Sequence, residues 1–429
     1  MIHQILEKTM KKADSAQIIM SRSEEVPVVF QDDKLRSIKV EQSTDVELRV
    51  IVNGKEGHSS TNDPRDIDGL VERALEAARF GSNVHFDFPG PQKAEDVKTY
   101  DEALKSLTKQ EMVQIGEEML TLIKEYNPEI LFYAEIYMGI SHIHFANSRG
   151  LEFSGDTSIL GVGCDGQLIR GTDILEIDHG QYWRKRNELV DHTKIARKLT
   201  EKFRLAERSV RIESKEMPVI FTPGALEVLL LPLKLGFSGK NVLLGASPLG
   251  DKLGREIFDA RFSLIDNPLI DYAPDSGTRD GEGVPHRVNT LVENGAVKCF
   301  LYDLDTAGRA GTKSTGNGPG CGTTNLIIAE DDVSYSEMIK NTSEGLIVED
   351  VIGLGQSNVI NGEFSVNVNL GYKIENGEIV GRAKDIMLTG NSYEALANVS
   401  AVGKESEWTS GSLKAPPIQV EGLSVIASI

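Results

Sequence analysis

The sequence between residues 308 and 325 reads Gly308-Arg-Ala-Gly-Thr-Lys-Ser-Thr-Gly-Asn-Gly-Pro-Gly-Cys-Gly-Thr-Thr-Asn325, and six of its eighteen residues are glycine. Strand-like runs flank it at residues 296–302 and 326–329. A segment so rich in glycine loses much backbone entropy on ordering, so a compact domain retains it for a reason of backbone geometry. Either the chain takes positive φ angles repeatedly, or another group approaches the main chain closely. We therefore interpret the segment either as a wide surface turn or as a binding loop.

Length, charge and cysteine content exclude several classes of protein. The chain has 429 residues, enough for two or three domains with a substantial core. Its 46 basic and 65 acidic residues give a net charge of −19, which argues against a nucleic-acid partner. No apolar run reaches the ~20 residues that span a bilayer, and the first residues do not resemble a signal peptide. Three widely spaced cysteines form no disulfide framework, so we expect a cytoplasmic protein without a membrane partner.

The first 212 residues predict an α+β domain, with a further boundary near residues 84–107. A short helix over residues 4–12 precedes strand-like runs at 17–21, 26–31, 35–41 and 46–52. Asn53-Gly54 predicts a hairpin turn, and Asn62-Asp63-Pro64 predicts the start of a helix that ends at Gly81.

The middle of the chain alternates between helical and strand patterns. Thr108 with Glu111 predicts a capping box at the start of a helix that reaches about Glu125. Residues 130–170 predict strands throughout, with breaks at Gly139 and Gly155, and residues 190–210 predict a long amphipathic helix.

Residues 213–429 predict a C-terminal β-rich domain, mainly antiparallel, that contains the glycine-rich loop 308–325. Its first elements are a buried strand over 218–221 and a helix over 225–231 that ends at Pro232. Many short strands follow, and Asn376-Gly377 marks the clearest hairpin. The predicted fold class is therefore α+β, with an antiparallel N-terminal half and a large β domain behind it.

The histidines offer weak candidates for chemistry. His142 and His144 stand two apart on a strand, so their rings share one face and could begin a zinc site, although ordinary half-exposed histidines are the favoured interpretation. His179 has carboxylate neighbours in sequence that would raise its basicity, and we interpret it as a loop residue. His286 follows a turn-rich segment and could line a cleft.

Cys321 is the best nucleophile candidate by position, because it lies inside the glycine-rich loop. A cysteine enzyme also needs a base, for which His286 is the candidate. The favoured alternative is a small residue tolerated in a tight loop. The loop could also form an anion nest, but it lacks a Gly-Lys-Ser or Gly-Lys-Thr ending and a following helix, which excludes a P-loop.

Four segments carry a resemblance to a known family: residues 316–326 within the glycine-rich loop, 271–287 with Asp280-Gly-Glu-Gly283 inside it, 355–365, and Ile374-Glu-Asn-Gly377. Together they resemble the TldD/PmbA family, historically called modulators of DNA gyrase, and are closest to its PmbA, or TldE, branch. The resemblance covers nearly the whole chain. It implies two α+β parts and metal-dependent proteolysis of peptides, in which a TldD-type subunit holds the metal and a PmbA-type subunit pairs with it.

The chain departs from the TldD-type pattern at each metal ligand that the family would supply. The family's His-Glu-x-x-x-His helix matches Leu226-Glu-Val-Leu-Leu-Leu231, where both histidines are leucine and only Glu227 remains. The late cysteine ligand is also missing, because the matching tail reads Trp408-Thr-Ser-Gly411. Leucine has no donor atom for Zn²⁺. The resemblance therefore implies no cofactor in this chain and zinc in a TldD-type partner, with Glu227 a relic of the general base or a surface carboxylate.

The leading hypothesis from the resemblance is a non-catalytic subunit of a two-subunit peptidase, paired in a heterodimer with a TldD-type subunit or forming a homodimer. It would bind unfolded or extended peptide by β-augmentation. The residues predicted to line its cavity are Asn317, Gly318, Gly320, Cys321, Asn325 and Gln356. One alternative is an autonomous hydrolase, with Glu227, Cys321 and His286 as weak catalytic candidates or with a non-standard metal site. Another is a gyrase or nucleic-acid modulator, against which the charge argues.

Overall fold

The computed structural model describes residues 1–186, 191–409 and 411–427. In the N-terminal part the helices are α1 Ile2–Thr9, α2 Ile67–Phe80, α3 Lys109–Tyr126, which a 3₁₀ turn at Glu102–Ser106 precedes, and α4 His192–Ala206. The strands are β1 Ser15–Gln31, β2 Lys34–Ile38, β3 Glu41–Val52, β4 Lys55–Thr61, β5 Leu131–Asn147, β6 Glu152–Arg170, β7 Asp173–Trp183 and β8 Ser209–Val210.

The C-terminal part contains short helices among many strands. The helices are α5 Glu227–Gly236, α6 Gly239–Leu243, α7 Leu304–Ala310, α8 Tyr335–Asn341 and α9 Ser392–Ala397, with 3₁₀ turns at Pro223–Ala225 and Val359–Asn361. The strands are β9 Lys215–Phe221, β10 Leu264–Asp266, β11 Asn289–Glu293, β12 Ala296–Val297, β13 Leu326–Ile328, β14 Glu344–Ile352, β15 Glu363–Glu375, β16 Glu378–Ala383, β17 Ile386–Asn391, β18 Val399–Val402, β19 Glu407–Trp408, β20 Leu413–Ala415 and β21 Ile418–Ala427.

Long antiparallel strands build a seven-stranded N-terminal sheet in the order β4-β3-β1-β5-β6-β7, with β2 paired to β1. The Asn53-Gly54 turn joins β3 to β4 as predicted, with both residues at positive φ. The predicted breaks at Gly139 and Gly155 are wrong, because β5 and β6 pair continuously from Leu131↔Gln167 to Ala146↔Glu152. Glycine weakens a strand locally, but Gly139 is paired on both sides, with β1 and β6, and Gly155 is paired with β5.

The predicted helices of this part form, with shifts at their ends. The side chain of Asp66, and not Asn62, caps α2, and the capping box of Thr108 and Glu111 opens α3 as predicted. The predicted helix over 190–210 is shorter, because α4 ends at Ala206 and Ser209–Val210 pairs with β16 as a strand. Its predicted start at Val190 lies outside the described residues.

The C-terminal part contains two sheets, and one of them closes on itself. An eight-stranded sheet runs β14-β9-β21-β17-β15-β16-β8, with β18 on β21, and β14 also pairs with β15. Strands β14, β9, β21, β17 and β15 therefore form a closed ring, which removes their free edges. A six-stranded sheet runs β12-β11-β10-β13-β20-β19. The structure confirms the α+β class, with mostly antiparallel pairing.

Helix α5 continues through Pro232, so the prediction that it ends there is wrong. Proline has no N–H, so the Val228 carbonyl four residues earlier loses its usual donor. The Ser392 hydroxyl donates to that carbonyl at 3.0 Å. This contact, from a residue 164 positions away, lets the helix continue to Gly236.

The hydrophobic cores of the two parts meet. One cluster contains Leu199 and Phe203 of α4 together with Ile347, Leu370 and Tyr372 of the C-terminal sheet. The Tyr372 hydroxyl also donates to the Lys202 carbonyl at 2.9 Å. The boundary at residue 212 stays a prediction, but apolar packing crosses it. In the described part of the chain, no helix is long and apolar enough to cross a membrane.

Candidate functional site

The glycine-rich segment begins inside a helix. Residues 308–310 form the last turn of α7, which Asp303 and Thr306 start with a reciprocal capping box. The predicted strand over 296–302 is reduced to Ala296–Val297, because the chain turns into this cap. Gly311, at φ +65°, ends the helix in the left-handed conformation that glycine adopts without strain. The loop proper is therefore residues 311–325.

Asn317 is the centre of a buried polar network that holds the loop. Its amide nitrogen donates to Asp266 Oδ2 at 2.8 Å and to the Gly322 carbonyl at 2.9 Å. Its amide oxygen accepts from Asn289 Nδ2 at 3.1 Å. Asp266, which is fully buried, also accepts from the N–H and the hydroxyl of Thr324 at 2.6 and 2.7 Å. The Asn317 side chain thus stabilises the loop through three hydrogen bonds inside the protein.

Carboxylates of the chain itself occupy the main-chain donors of this loop. The Gly318 N–H donates to Asp280 Oδ2 at 2.8 Å, and the Gly320 N–H donates to Asp303 Oδ2 at 2.9 Å. A Cβ at Gly318 would stand 2.1 Å from Glu282 Oε2, so the side chain of Glu282 requires glycine there. Both explanations for the glycines are realised: Gly311, Gly316 and Gly320 take positive φ angles, and the group that approaches Gly318 closely belongs to this chain.

Cys321 is buried and protected. Only 2% of the residue is exposed, and its Sγ lies 3.2 Å from Thr306 Oγ1 and accepts from the Asp303 N–H at 3.4 Å. Burial raises the pKa of its thiol, which disfavours the nucleophilic thiolate. His286, the predicted base, hydrogen-bonds through Nδ1 with the Gly316 carbonyl at 2.6 Å, and burial lowers its pKa. Among the described contacts no hydrogen bond joins the two residues.

The two remaining candidates, Asn325 and Gln356, lie in different loops. Asn325 is fully buried, donates to the Asn267 carbonyl at 3.1 Å and to Ser276 Oγ at 2.9 Å, and accepts from the Asp275 N–H. Gln356 is exposed in the loop between β14 and β15. A binding role for the six predicted residues stays a prediction.

A cavity of about 720 Å³ lies among the described residues, beside the N-terminal sheet. Its walls are β7, α4, the start of α5, the end of β14 and the segment around β19. Within the glycine-rich loop only Thr323 and Thr324 line it, and of the predicted site candidates Glu227 and His179 do. The charged residues that line the cavity are Glu176, Asp178, Lys198, Glu201, Lys202, Glu227, Lys234, Glu349, Asp350, Glu405 and Glu407.

Each lysine of the cavity is paired with a glutamate from another turn or element. Lys234 Nζ lies 2.9 and 2.7 Å from the two carboxylate oxygens of Glu227. Lys202 Nζ lies 3.2 Å from Glu349 Oε2, and Lys198 pairs with Glu407. Sequence reasoning missed Lys198 and Lys202, although their spacing of four residues places both on one face of α4.

His179 lies in this cavity, and two expectations about it are wrong. It belongs to β7 and not to a loop. Its pKa is lowered to about 3, first by burial and then by Lys202, Lys198 and Lys194. The neighbouring Glu176 and Asp178 point to the opposite face of the strand, so they do not raise its basicity. His179 is therefore neutral at physiological pH.

His142 and His144 on β5 pair with carboxylates of the neighbouring strand β6. His142 Nδ1 lies 2.7 Å from Asp156 Oδ1, and His144 Nε2 lies 2.8 Å from Glu152 Oε1. Among the described residues no group of three or more His, Cys, Asp or Glu side chains is arranged to hold a metal ion.

Residues 226–231, which the family resemblance predicts to match the metal motif, provide no metal-binding side chain apart from Glu227. Leu226 is fully buried in the C-terminal core, and neither Leu226 nor Leu231 lines the cavity. Glu227 does line it, but Lys234 engages both of its carboxylate oxygens. Ser410, in the tail that matches the cysteine ligand, lies outside the described residues. Aliphatic side chains and a neutralised carboxylate provide no ligand set for zinc.

One free strand edge borders the cavity. β7 is the last strand of the N-terminal sheet, and residues 176–180 of it line the cavity. No strand of the described chain pairs with its outer edge. Such an edge presents unpaired N–H and C=O groups that can bind an extended segment.

Comparisons with known proteins agree on one family. Residues 214–427 match the PmbA/TldA metallopeptidase C-terminal domain, and residues 16–78 match PmbA/TldA metallopeptidase domain 1. The chain is 28% identical over 399 residues to an uncharacterized protein of Methanocaldococcus jannaschii, with 90% of each chain covered. It is 24% identical over 435 residues to metalloprotease PmbA of Escherichia coli O157:H7, covering 97% of this chain and 94% of that one. The crystal structure of TldE from Thermococcus kodakarensis superposes with a TM-score of 0.90 at 25% identity, covering both chains completely.

Proposed function

The chain belongs to the PmbA/TldA metallopeptidase family, and from this premise we propose that it is a PmbA/TldE-type subunit that does not cleave peptides by itself. It shapes one wall of a chamber and holds an extended peptide there. A TldD-type subunit, paired with it in a heterodimer, supplies the zinc and the chemistry.

The contact between Lys234 and Glu227 carries this proposal. A glutamate in a metallopeptidase motif acts on a water that the metal activates. Here its position is retained, but Lys234 neutralises the carboxylate and leucines stand at the positions of the histidine ligands. Without metal ligands, the residues that remain can bind and position a peptide but cannot activate a water for attack.

The free edge of β7 supports the peptide-holding role. An extended peptide that pairs with this edge gains main-chain hydrogen bonds whatever its sequence, which suits unfolded chains. The cavity beside the edge, at about 720 Å³, accommodates several side chains of such a peptide.

The decisive experiment measures metal content and peptide hydrolysis of the purified, untagged chain, alone and with a TldD-type partner. We expect near-zero zinc and no hydrolysis for the chain alone, and about one zinc per heterodimer with chelator-sensitive hydrolysis. Lys234→Met, which frees Glu227, is the matched control, and it should not create metal binding. Stoichiometric zinc in the isolated chain, or robust cleavage by it, would sink the proposal.

A further inference from the structure

We propose that the free edge of β7 selects extended peptides that carry lysine or arginine at alternate positions. This inference rests on the proposed peptide-holding function and adds the class of peptide that the edge accepts. Four features carry it. They are the unpaired edge, the carboxylates of the outer face, the bare floor that two glycines form next to those carboxylates, and the charge of the adjoining cavity.

The two faces of β7 differ in character. Leu175 and Ile177 point inward and pack in the same core cluster as α4. Glu176 and Asp178 alternate with them and are exposed on the outer face, away from α4. A peptide strand that pairs with β7 places every second side chain on this outer face, beside these two carboxylates.

Two carboxylates stand directly opposite each other at this place. Asp178 on β7 is in register with Asp165 on β6, and Glu176 is in register with Gln167. Like charges directly opposite on neighbouring strands are destabilising. Among the described residues no cation forms an ion pair with Asp165, Asp178 or Glu176. Burial, followed by the charges of Asp178 and Glu176, raises the pKa of Asp165 to about 6.

Glycines leave a floor next to these carboxylates. Gly163 on β6 is in register with Gly180 on β7, and the ring of Tyr182 covers Gly161 at the next outward position. Without side chains at Gly163 and Gly180, the outer face between Tyr182 and Asp178 is open down to the backbone. A long cationic side chain from an added strand can lie on this floor and reach Asp165, and the Tyr182 ring offers its stem an apolar neighbour.

The cavity that adjoins the edge has the same sign of charge. Apart from Glu176 and Asp178, which belong to the outer face, six carboxylates and three lysines line it, which leaves a net charge of −3 with His179 neutral. A basic peptide is therefore attracted both by the cavity and by the strand face, and an acidic peptide is repelled by both. Backbone pairing supplies the binding mode, and the carboxylates supply the discrimination.

The test uses labelled seven-residue peptides of alternating threonine and lysine, with otherwise identical peptides in which glutamate or glutamine replaces lysine. Binding to the purified chain is followed by fluorescence anisotropy at low salt and in 0.5 M NaCl. We expect the lysine peptide to bind at least about tenfold more tightly than the glutamate peptide, and the difference to shrink in salt. The peptide nitrogens form two alternating sets, at odd and at even positions, and only one set faces β7. N-methylation of that set should abolish binding, and N-methylation of the other set should not.

The matched variants locate the preference. Asp165→Asn with Asp178→Asn should remove most of the difference between the lysine and glutamate peptides. Glu25→Gln with Glu41→Gln is the control, because these residues form another directly opposed carboxylate pair of the same sheet, far from β7. The control should keep the full preference, and circular dichroism checks that both double variants fold.

The outcomes separate this inference from the proposed function. If lysine and glutamate peptides bind equally but N-methylation abolishes both, the edge holds peptides and the charge preference is refuted. If the preference persists in the Asp165 and Asp178 double variant, the inference is also refuted. If no peptide binds the chain, alone or with its partner, the peptide-holding function fails and the inference fails with it.

Discussion

Arg49 and Glu282 join the N-terminal sheet to the segment beneath the glycine-rich loop. Two guanidinium nitrogens of Arg49 on β3 donate to Glu282 Oε1 at 3.1 and 3.2 Å, and the Glu282 side chain is only 2% exposed. The other oxygen, Oε2, accepts from the Leu304 N–H at 2.7 Å, in the first turn of α7. Arg49 also pairs with Glu56 on β4. One carboxylate thus couples the position of α7, and of the loop behind it, to the N-terminal sheet.

Replacing Glu282 with alanine should destabilise the protein by about 3 kcal/mol, because the Arg49 guanidinium loses its buried partner and the Leu304 N–H loses its acceptor. Glu282→Gln retains an oxygen acceptor and should lose about 1 kcal/mol. The control is Glu56→Ala, which removes the more exposed partner of Arg49 and should cost less than about 1 kcal/mol. Thermal unfolding at pH 7 measures all three. Equal losses for Glu56→Ala and Glu282→Ala would contradict the assigned role.

Stability should fall as the pH rises through neutrality. Burial raises the pKa of Asp280 to about 6 and that of Glu282 to about 7, although Arg49 and backbone N–H groups oppose the shift. Both groups bind protons more tightly in the folded state. Their contribution to stability is therefore complete below their ordinary values of 3.8 and 4.5 and is lost as the pH rises through about 6 and 7.

Melting temperatures of the wild type and Glu282→Gln, taken every half unit between pH 4.5 and 8, test this dependence. The variant lacks the titrating carboxyl, so its melting temperature should improve relative to the wild type as the pH rises from about 5 to 7.5. A difference between the two proteins that stays constant over this range would show that Glu282 does not titrate as described.

Asn317→Asp should be more damaging than Asn317→Ala. The alanine variant removes three hydrogen bonds from a buried network, at a cost of about 2–4 kcal/mol. The aspartate variant instead places a carboxylate where the amide donates to Asp266 Oδ2 at 2.8 Å, so two buried acids face each other. Unfolding in urea ranks the variants. An aspartate variant as stable as the alanine one at pH 7 would refute this geometry.

The three thiols should resist modification in the folded protein. Cys164 and Cys321 are buried, and burial raises the pKa of both thiols. Burial also raises the pKa of the partly buried Cys299 thiol, to about 11. A thiol reagent at pH 7.5 should therefore modify them only slowly, while three thiols react in denaturant. Rapid, stoichiometric modification of Cys321 in the native protein would revive it as a nucleophile. In that case Cys321→Ala should abolish any hydrolysis by the isolated chain.

Elements that depend on neighbouring residues could be predicted from the sequence. The Asn53-Gly54 turn and the Thr108 capping box are signals that act within four residues, and both form. Helix α5 passes Pro232, where Ser392 supplies a distant donor to the Val228 carbonyl, and no local pattern reports that contact. The capping box of Asp303 and Thr306 is also a local signal, and it starts α7 with two residues three apart in sequence.

The candidate site was harder to predict, because its walls come from distant parts of the chain. Lys202 and Glu349 are 147 positions apart in sequence yet lie 3.2 Å apart in the cavity. The free edge of β7 is a property of strand order, which depends on the whole sheet. The role of the glycine-rich loop could not be predicted for a physical reason. Its Gly318 and Gly320 N–H groups donate to Asp280 and Asp303, and a sequence does not reveal whether the group that approaches such a loop is a ligand or part of the chain itself.

The packing of α4 against the C-terminal sheet has a consequence for any attempt to divide this protein. Leu199 and Phe203 face Leu370 and Tyr372, so cutting the chain at residue 212 would expose both halves of one apolar surface to water. Fragments expressed separately would then aggregate readily and be poorly soluble. Co-expressed, the same exposed surfaces would drive them to reassemble, which makes this junction a natural place for a split reporter of folding.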